Sequence, residues 1–195
     1  DIGAFEAFKP IVAAPDDIIE EATGQTTAVT LGTALVSDTD NSGPFTVSAD
    51  IEGPFTVGVH TVTWTSSADS YGHTGFDTQT VTIQDTTDPI IELIGAANLD
   101  INYGTTFTDP GANVTDNVDA DTIIFSSDTV DTLIAGAHIL TYNYTDSASN
   151  TAMEVTRTVN VIDNVAPTIT LIGDATMEIE FGATFTDPGA NVTDN

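Results

Sequence analysis

The sequence predicts an all-β chain of tandem antiparallel β-sandwiches, on three observations: a long internal repeat, a two-residue alternation of apolar side chains, and no helical stripe with caps. The repeat is the most informative. Pro89 to Asn117, with Ile94-Gly95 and Phe107-Thr108-Asp109-Pro110-Gly111-Ala112-Asn113-Val114-Thr115-Asp116-Asn117, returns as Pro167 to Asn195, an offset of 167 minus 89, or 78 residues. The same offset links Gly58-Val59-His60 to Gly136-Ala137-His138, and Thr80-Val81 with Asp85 to Thr158-Val159 with Asp163, so a diverged copy comes first. The expected organisation is a lead-in over 1–8, units over 9–86 and 87–164, and an incomplete third unit over 165–195.

Each strand is read from its alternation. In Thr61-Val62-Thr63-Trp64-Thr65 and Ile139-Leu140-Thr141-Tyr142-Asn143-Tyr144, the side chains of Val62, Trp64, Leu140, Tyr142 and Tyr144 fall on one face and threonine fills most of the other. Thr80-Val81-Thr82-Ile83 and Val155-Thr156-Arg157-Thr158-Val159 repeat the pattern, and β-branched threonine suits a half-exposed pleat. Turn formers punctuate these runs at Asn41-Ser42-Gly43-Pro44, Gly53-Pro54 and Asp109-Pro110-Gly111. Short strands at this spacing predict sandwiches of about seven strands per unit. The third unit stops after its second strand and cannot close a sandwich by itself. Either the chain continues, or a neighbouring chain supplies a strand and the molecules associate end to end.

Composition excludes several functions. Thirty acidic residues face two basic ones, Lys9 and Arg157, for a formal charge of -28. Nucleic acid would be repelled, since phosphate binding depends on lysine and arginine releasing counterions. A hydrophobic fraction of 40%, with nine Phe, four Tyr and one Trp, is enough for packed cores, so the acidity does not imply disorder. The absence of cysteine excludes disulfides, thiolate zinc and a cysteine nucleophile. No apolar run approaches the roughly 20 residues that span a bilayer. The opening Asp1-Ile2-Gly3-Ala4-Phe5 lacks an initiator Met and a basic signal region, and reads as the interior of something longer.

Residues 10–86 resemble a hyalin repeat (HYR) domain, on Ala14-Pro15-Asp16-Asp17-Ile18, Glu21-Ala22-Thr23-Gly24, Ser37-Asp38 with Asn41-Ser42-Gly43-Pro44, Val62-Thr63-Trp64-Thr65 and Asp69. Residues 87–164 resemble the bacterial immunoglobulin-like repeat domains of large surface and secreted proteins. The motifs are Ile91-Glu92-Leu93-Ile94-Gly95, Gly104-Thr105-Thr106-Phe107-Thr108-Asp109-Pro110-Gly111-Ala112 and Tyr144-Thr145-Asp146-Ser147-Ala148-Ser149-Asn150. The resemblance implies tandem immunoglobulin-like antiparallel β-sandwiches at the cell surface or outside the cell, used as spacers and adhesive elements. One departure is Ser70-Tyr71-Gly72-His73, where such domains carry a small residue, Gly and Asn.

In that sandwich the incoming linker, the loop between the second and third strands and the loop between the last two share one pole. Asp85 and Asp88, then Asp116, Asp119 and Asp121, then Asp146 with Asn150 are therefore expected to converge; likewise Asp163, with Asn164, is expected to approach Asp194. Asp38, Asp40 and Asp69 are the counterparts in the first unit. Like charges about 4 Å apart repel by about 1 to 4 kcal/mol per pair, and almost no lysine or arginine exists to compensate. A hard divalent cation would, and Ca²⁺ takes about 6–8 oxygen ligands of these types. The competing reading is solvated turn formers, for which Asp and Asn are favoured anyway. The strict EF-hand pattern is absent.

His60 and His138, at equivalent positions before an apolar strand, read as structural, and His73 stands alone in a loop. No Gly-x-Ser-x-Gly elbow, His-Glu-x-x-His pair or phosphate-cradling loop supports an enzyme. Trp64, Tyr142 and Tyr144 alternate inward and read as core. Asn113, Asn143 and Asn191 begin glycosylation triplets that chance readily produces in a threonine-rich chain. The expected function is a calcium-stiffened, non-catalytic spacer or adhesion stalk of a larger protein, whose partners are neighbouring repeats and extracellular proteins or glycans. The competing function is an accessory module that grips a glycan or protein through its loops.

Overall fold

The computed structural model describes residues 9–39 and 43–194. The lead-in 1–8, Asp40, the Asn41-Ser42 part of the first turn and Asn195 lie outside the described residues. All regular structure described is strand. In chain order the strands are β1 (Ile11–Ala13), β2 (Ile18–Glu21), β3 (Leu35–Ser37), β4 (Val47–Ala49), β5 (Gly58–Ser66), β6 (Phe76–Gln84), β7 (Ile90–Leu93), β8 (Asn98–Asn102), β9 (Ala112–Thr115), β10 (Thr122–Ile124), β11 (Gly136–Tyr142), β12 (Val155–Ile162), β13 (Thr168–Leu171) and β14 (Ala190–Thr193). No helix among the described residues is long and apolar enough to cross a membrane.

The chain divides into two compact units. One holds the residues up to Ile94 with Gly111–Phe125 and Tyr142–Val155; the other holds Gly95–Pro110, Ser126–Thr141 and the residues from Thr156 on.

The first unit is organised on a four-stranded sheet, β2-β6-β5-β4, in which β2 runs parallel to β6 and the other pairs are antiparallel. Alternation decides what each long strand buries. Val62 and Trp64 of β5 and Val81 and Ile83 of β6 point into a core that Val12 of β1 and Val36 of β3 close from the β1-β3 pair. Val62, Val81 and Ile83 have almost no exposed surface, and burying each is worth about 1.5–3 kcal/mol. Gln79 shares that inward face and is also completely buried. Its amide nitrogen donates to the Asp16 and Leu31 carbonyls at 2.7 and 3.0 Å, and its Oε1 accepts from Trp64 Nε1 at 3.2 Å.

The same unit contains the antiparallel sheet β10-β9-β7, with Ile91 opposite Val114 and Ile124 opposite Ala112. The Asp109-Pro110-Gly111 turn delivers the chain to β9. Gly111 has φ of 83°, and a Cβ there would lie 2.8 Å from the Ile124 carbonyl oxygen, so only glycine fits this close approach.

In the second unit β12 lies between β11 and β8, parallel to β8 with Val159 opposite Leu99. Arg157 of β12 has no exposed surface; Nη1 donates to Asp109 Oδ1 at 2.8 Å and Nε to the Ala96 carbonyl at 3.2 Å. The motif aspartate of the repeat is thus held by one of the two basic side chains of the sequence. β13 and β14 pair antiparallel, with Ile169 opposite Val192.

Candidate metal centre

The loop 146–150 is tightly self-bonded. The Asp146 N–H donates to the Asn150 carbonyl at 3.0 Å, and the Asn150 N–H and Nδ2 donate to the two Asp146 carboxylate oxygens at 2.7 and 2.8 Å. Ser149 closes the turn in the left-handed region, φ 77°. Asn150 Nδ2 also donates to the Asp85 main-chain carbonyl at 3.1 Å, which ties the linker to this loop. The next anchor comes from β2: the Glu21 carboxylate accepts from the Thr86 N–H at 2.6 Å and from the hydroxyls of Thr86 and Thr87 at 3.0 and 3.3 Å. These bonds, the Thr86 N–H first, hold Glu21 below its ordinary pKa.

The third strand of the arrangement is the turn after β9. Asp116 Oδ2 accepts the N–H groups of Val118 and Asp119 at 2.8 and 2.9 Å, which turns the carboxylate toward Asp85 and Asp146. One carboxylate oxygen from each of Asp85, Asp116 and Asp146 lies within 4.8 Å of the others. Asp85 and Asp146 are each 7% exposed, and Asp116 is half-buried. Asp85 Oδ1 accepts the Thr87 N–H at 3.2 Å, while Asp85 Oδ2 and Asp116 Oδ1 are buried with no hydrogen-bond partner. Burial pushes the Asp85 carboxyl above its ordinary pKa, and the charges of Asp116 and Asp146 push the same way, against the Thr87 N–H and the Asn117 amide. Among the described residues no basic side chain pairs with any of the three; His73 pairs with Asp69, and Arg157 with Asp109. Such a group can hold a metal ion.

The other predicted residues take different places. Asp119 accepts the Ser147 N–H and hydroxyl at 2.8 and 2.7 Å, which lowers its pKa and braces the two loops against each other. Asn150 acts through its amide nitrogen, as above. Asp88, Asp121 and Asp194 are exposed, as is Asp163, whose Oδ1 accepts the Val165 N–H at 3.0 Å. Asp38 is half-buried. Asp69 lies in a copy of the 146–150 loop: its N–H donates to the His73 carbonyl at 2.8 Å, the His73 N–H returns to Oδ1 at 2.8 Å, and the His73 ring nitrogen Nδ1 takes the place of the asparagine amide, 3.2 Å from Oδ2. Burial raises the Asp69 pKa, but the N–H groups of His73 and Tyr71 and the His73 ring outweigh it and hold the carboxyl below its ordinary value. His60 and His138 are strand-start supports, their Nε2 atoms 2.7 and 2.9 Å from the Thr56 and Ile134 carbonyls.

Sequence reasoning passed over Glu21 and Asn117. Asn117 Nδ2 donates to the Ala22 carbonyl at 2.9 Å, and its Oδ1 is buried without a partner. Its repetition with Asp116 at 194–195 was the available signal.

Residues 91–161 match a family described as bacterial surface protein, Ig-like domain. The chain is 30% identical over 205 residues to hyalin of Lytechinus variegatus, covering 93% of this chain, and 33% identical over 151 residues to hyalin of Strongylocentrotus purpuratus, covering 70%. It spans 37% and 12% of the lengths of those relatives. The solved structure of human protocadherin-24 EC1-2 aligns with 80% of this chain and all of its own, at 12% identity and a TM-score of 0.36. Across residues 91–161 the chain is therefore similar to the immunoglobulin-like domains of bacterial surface proteins, and over nearly its whole length it is similar to the hyalins.

Proposed function

We propose that this stretch is a non-catalytic spacer of an extracellular adhesion protein, with modules over 9–86, 87–164 and from 165 on, and that Ca²⁺ bound by Asp85, Asp116 and Asp146 fixes the linker against the two loops that follow it. The family and the hyalin relatives support the adhesion-type, surface setting. The observation that carries the calcium reading is the buried carboxylate group with unpaired oxygens and no counter-charge. An all-oxygen, mostly anionic donor set suits a hard cation, and Ca²⁺ tolerates irregular coordination where Mg²⁺ demands a near-ideal octahedron. When bound, the ion supplies two positive charges, which offset most of the charge of the three carboxylates. Asn150, Glu21 and Asp119 do the rest by holding the linker and the loops in register before any ion arrives. The role is positional: a linker that swings freely resists no bending and sets no spacing.

Calorimetry with Ca²⁺ tests this, together with thermal melting of the chain in Ca²⁺ and in chelator. Binding heat is expected, with a melting temperature raised by roughly 5–10 °C at about a hundred times the dissociation constant, where ligand linkage adds about 2.7 kcal/mol. No heat and identical melting in chelator remove the reading.

A further inference from the structure

Resting on that reading of Asp85, Asp116 and Asp146, we propose that the side-chain carbonyl of Asn117 is a fourth protein ligand of the ion, set in place by the Ala22 backbone carbonyl at the end of β2. The argument starts from the amide. Its nitrogen only donates and its oxygen only accepts. Because the Ala22 carbonyl can only accept, the 2.9 Å contact fixes the Asn117 nitrogen on that side and identifies the other atom as oxygen. That oxygen is buried and receives no hydrogen bond.

The unpartnered buried oxygens here are Asp85 Oδ2, Asp116 Oδ1 and Asn117 Oδ1, from a carboxylate that is nine-tenths buried, its half-buried neighbour, and the residue that follows it in the chain. The Asn117 amide nitrogen also lies near enough to the Asp85 carboxylate to work against the rise in its pKa, which sets the amide group as a whole beside the carboxylates. A single water brings two donors, too few for three acceptors and a third nearby carboxylate. A cation meets all of them at once, and a mixed set of carboxylate and amide oxygens is what Ca²⁺ takes. The loop is pinned on its far side as well, since Val118 packs against the core that contains Ala22 and Val62. One ligand therefore depends on β2, so ion affinity depends on the contact between that strand and this turn.

Europium(III) luminescence decay in H2O and D2O counts the waters on a bound ion, and the full 195-residue chain is the sample. With Asn117→Ala, one additional bound water is expected, with Ca²⁺ affinity reduced by about tenfold or more. With Asn117→Gln, which keeps both an amide oxygen and the N–H that the Ala22 carbonyl accepts, the water count of the unaltered chain is expected; this variant carries the test if the alanine variant does not fold. An unchanged count and affinity in Asn117→Ala, or an added water in Asn117→Gln, overturns the proposal. An unaltered chain that binds neither Eu³⁺ nor Ca²⁺ removes the underlying site instead, which is a different result.

Discussion

Asp85 concentrates the electrostatic cost of the candidate centre in one side chain. Burial and two neighbouring carboxylates raise its pKa in the folded protein above that of the unfolded chain. With no ion bound, its ionised form therefore favours unfolding at neutral pH. As pH falls through the raised folded value the folded protein takes up the proton first, and Asp85 ceases to oppose folding by the time pH reaches its unfolded value. Glu21 and Asp119 have the opposite sign, because their lowered values mean stability lost on acidification. Comparing Asp85→Asn with the unaltered chain isolates the first effect. In chelator at pH 7 the variant is expected to melt a few degrees higher, by about 1 kcal/mol or more given the size of like-charge terms at this range. The gain shrinks toward pH 4 and reverses at pH 7 in Ca²⁺, where the variant loses the ion's contribution; a variant that melts lower in chelator at pH 7 contradicts the account. Melting curves at the two pH values check it. Asp85, Asp116 and Asp146 were legible as a group because topology brings a linker and two loops to one pole. Asp88 and Asp121 have the same spacing signal but are exposed, and loop composition does not encode burial. Asn117 repeats with Asp116 at 194–195, but the carbonyl that holds its amide lies 95 residues away, so the repeat alone did not mark it.

Elements were easier to read than their interiors. Val62, Trp64, Val81 and Ile83 lie inward as the alternation predicts, since a period of two leaves a strand no other way to bury its apolar set. The alternation also places Gln79 inward, yet nothing in the sequence explains a polar side chain there. The explanation is three-dimensional: it joins Trp64 to carbonyls 63 and 48 residues distant along the chain. Arg157 is similar, an apparent exception in an apolar strand until Asp109 is seen beside it. Gln79→Ala is expected to destabilise by roughly 3 kcal/mol, because it orphans the Trp64 N–H and two carbonyls, each worth about 1–3 kcal/mol if left buried and unpaired. Gln84→Ala, at the exposed end of the same strand, is expected within about 0.5 kcal/mol of the unaltered chain. Urea denaturation of both variants decides it, and equal losses would mean that the buried amide contributes nothing specific.

At the scale of the whole molecule the governing quantity is the charge of -28, spread over modules that offer two basic side chains in return. On the proposed reading such a chain would gather calcium in two physically different ways: as a diffuse atmosphere around all of its carboxylates, and as a dehydrated ion among Asp85, Asp116 and Asp146. Salt separates them. Raising NaCl from about 0.01 to 0.1 M shortens the Debye length from about 30 to about 10 Å, which weakens repulsion between exposed carboxylates but reaches buried groups much less. In chelator the melting temperature is therefore expected to climb over this range, because self-repulsion disfavours the compact state. A melting temperature that fell instead would show that attraction, not repulsion, dominates the exposed charges. The increment produced by saturating Ca²⁺ has a diffuse part that fades with salt and a site-bound part that does not. A calcium increment that survives at 0.5 M NaCl, and is lost in Asp85→Asn, belongs to the buried carboxylates. One that vanishes with added salt belongs to the atmosphere, and leaves the linker held by Asn150 and Glu21, with Asp119 bracing the loops.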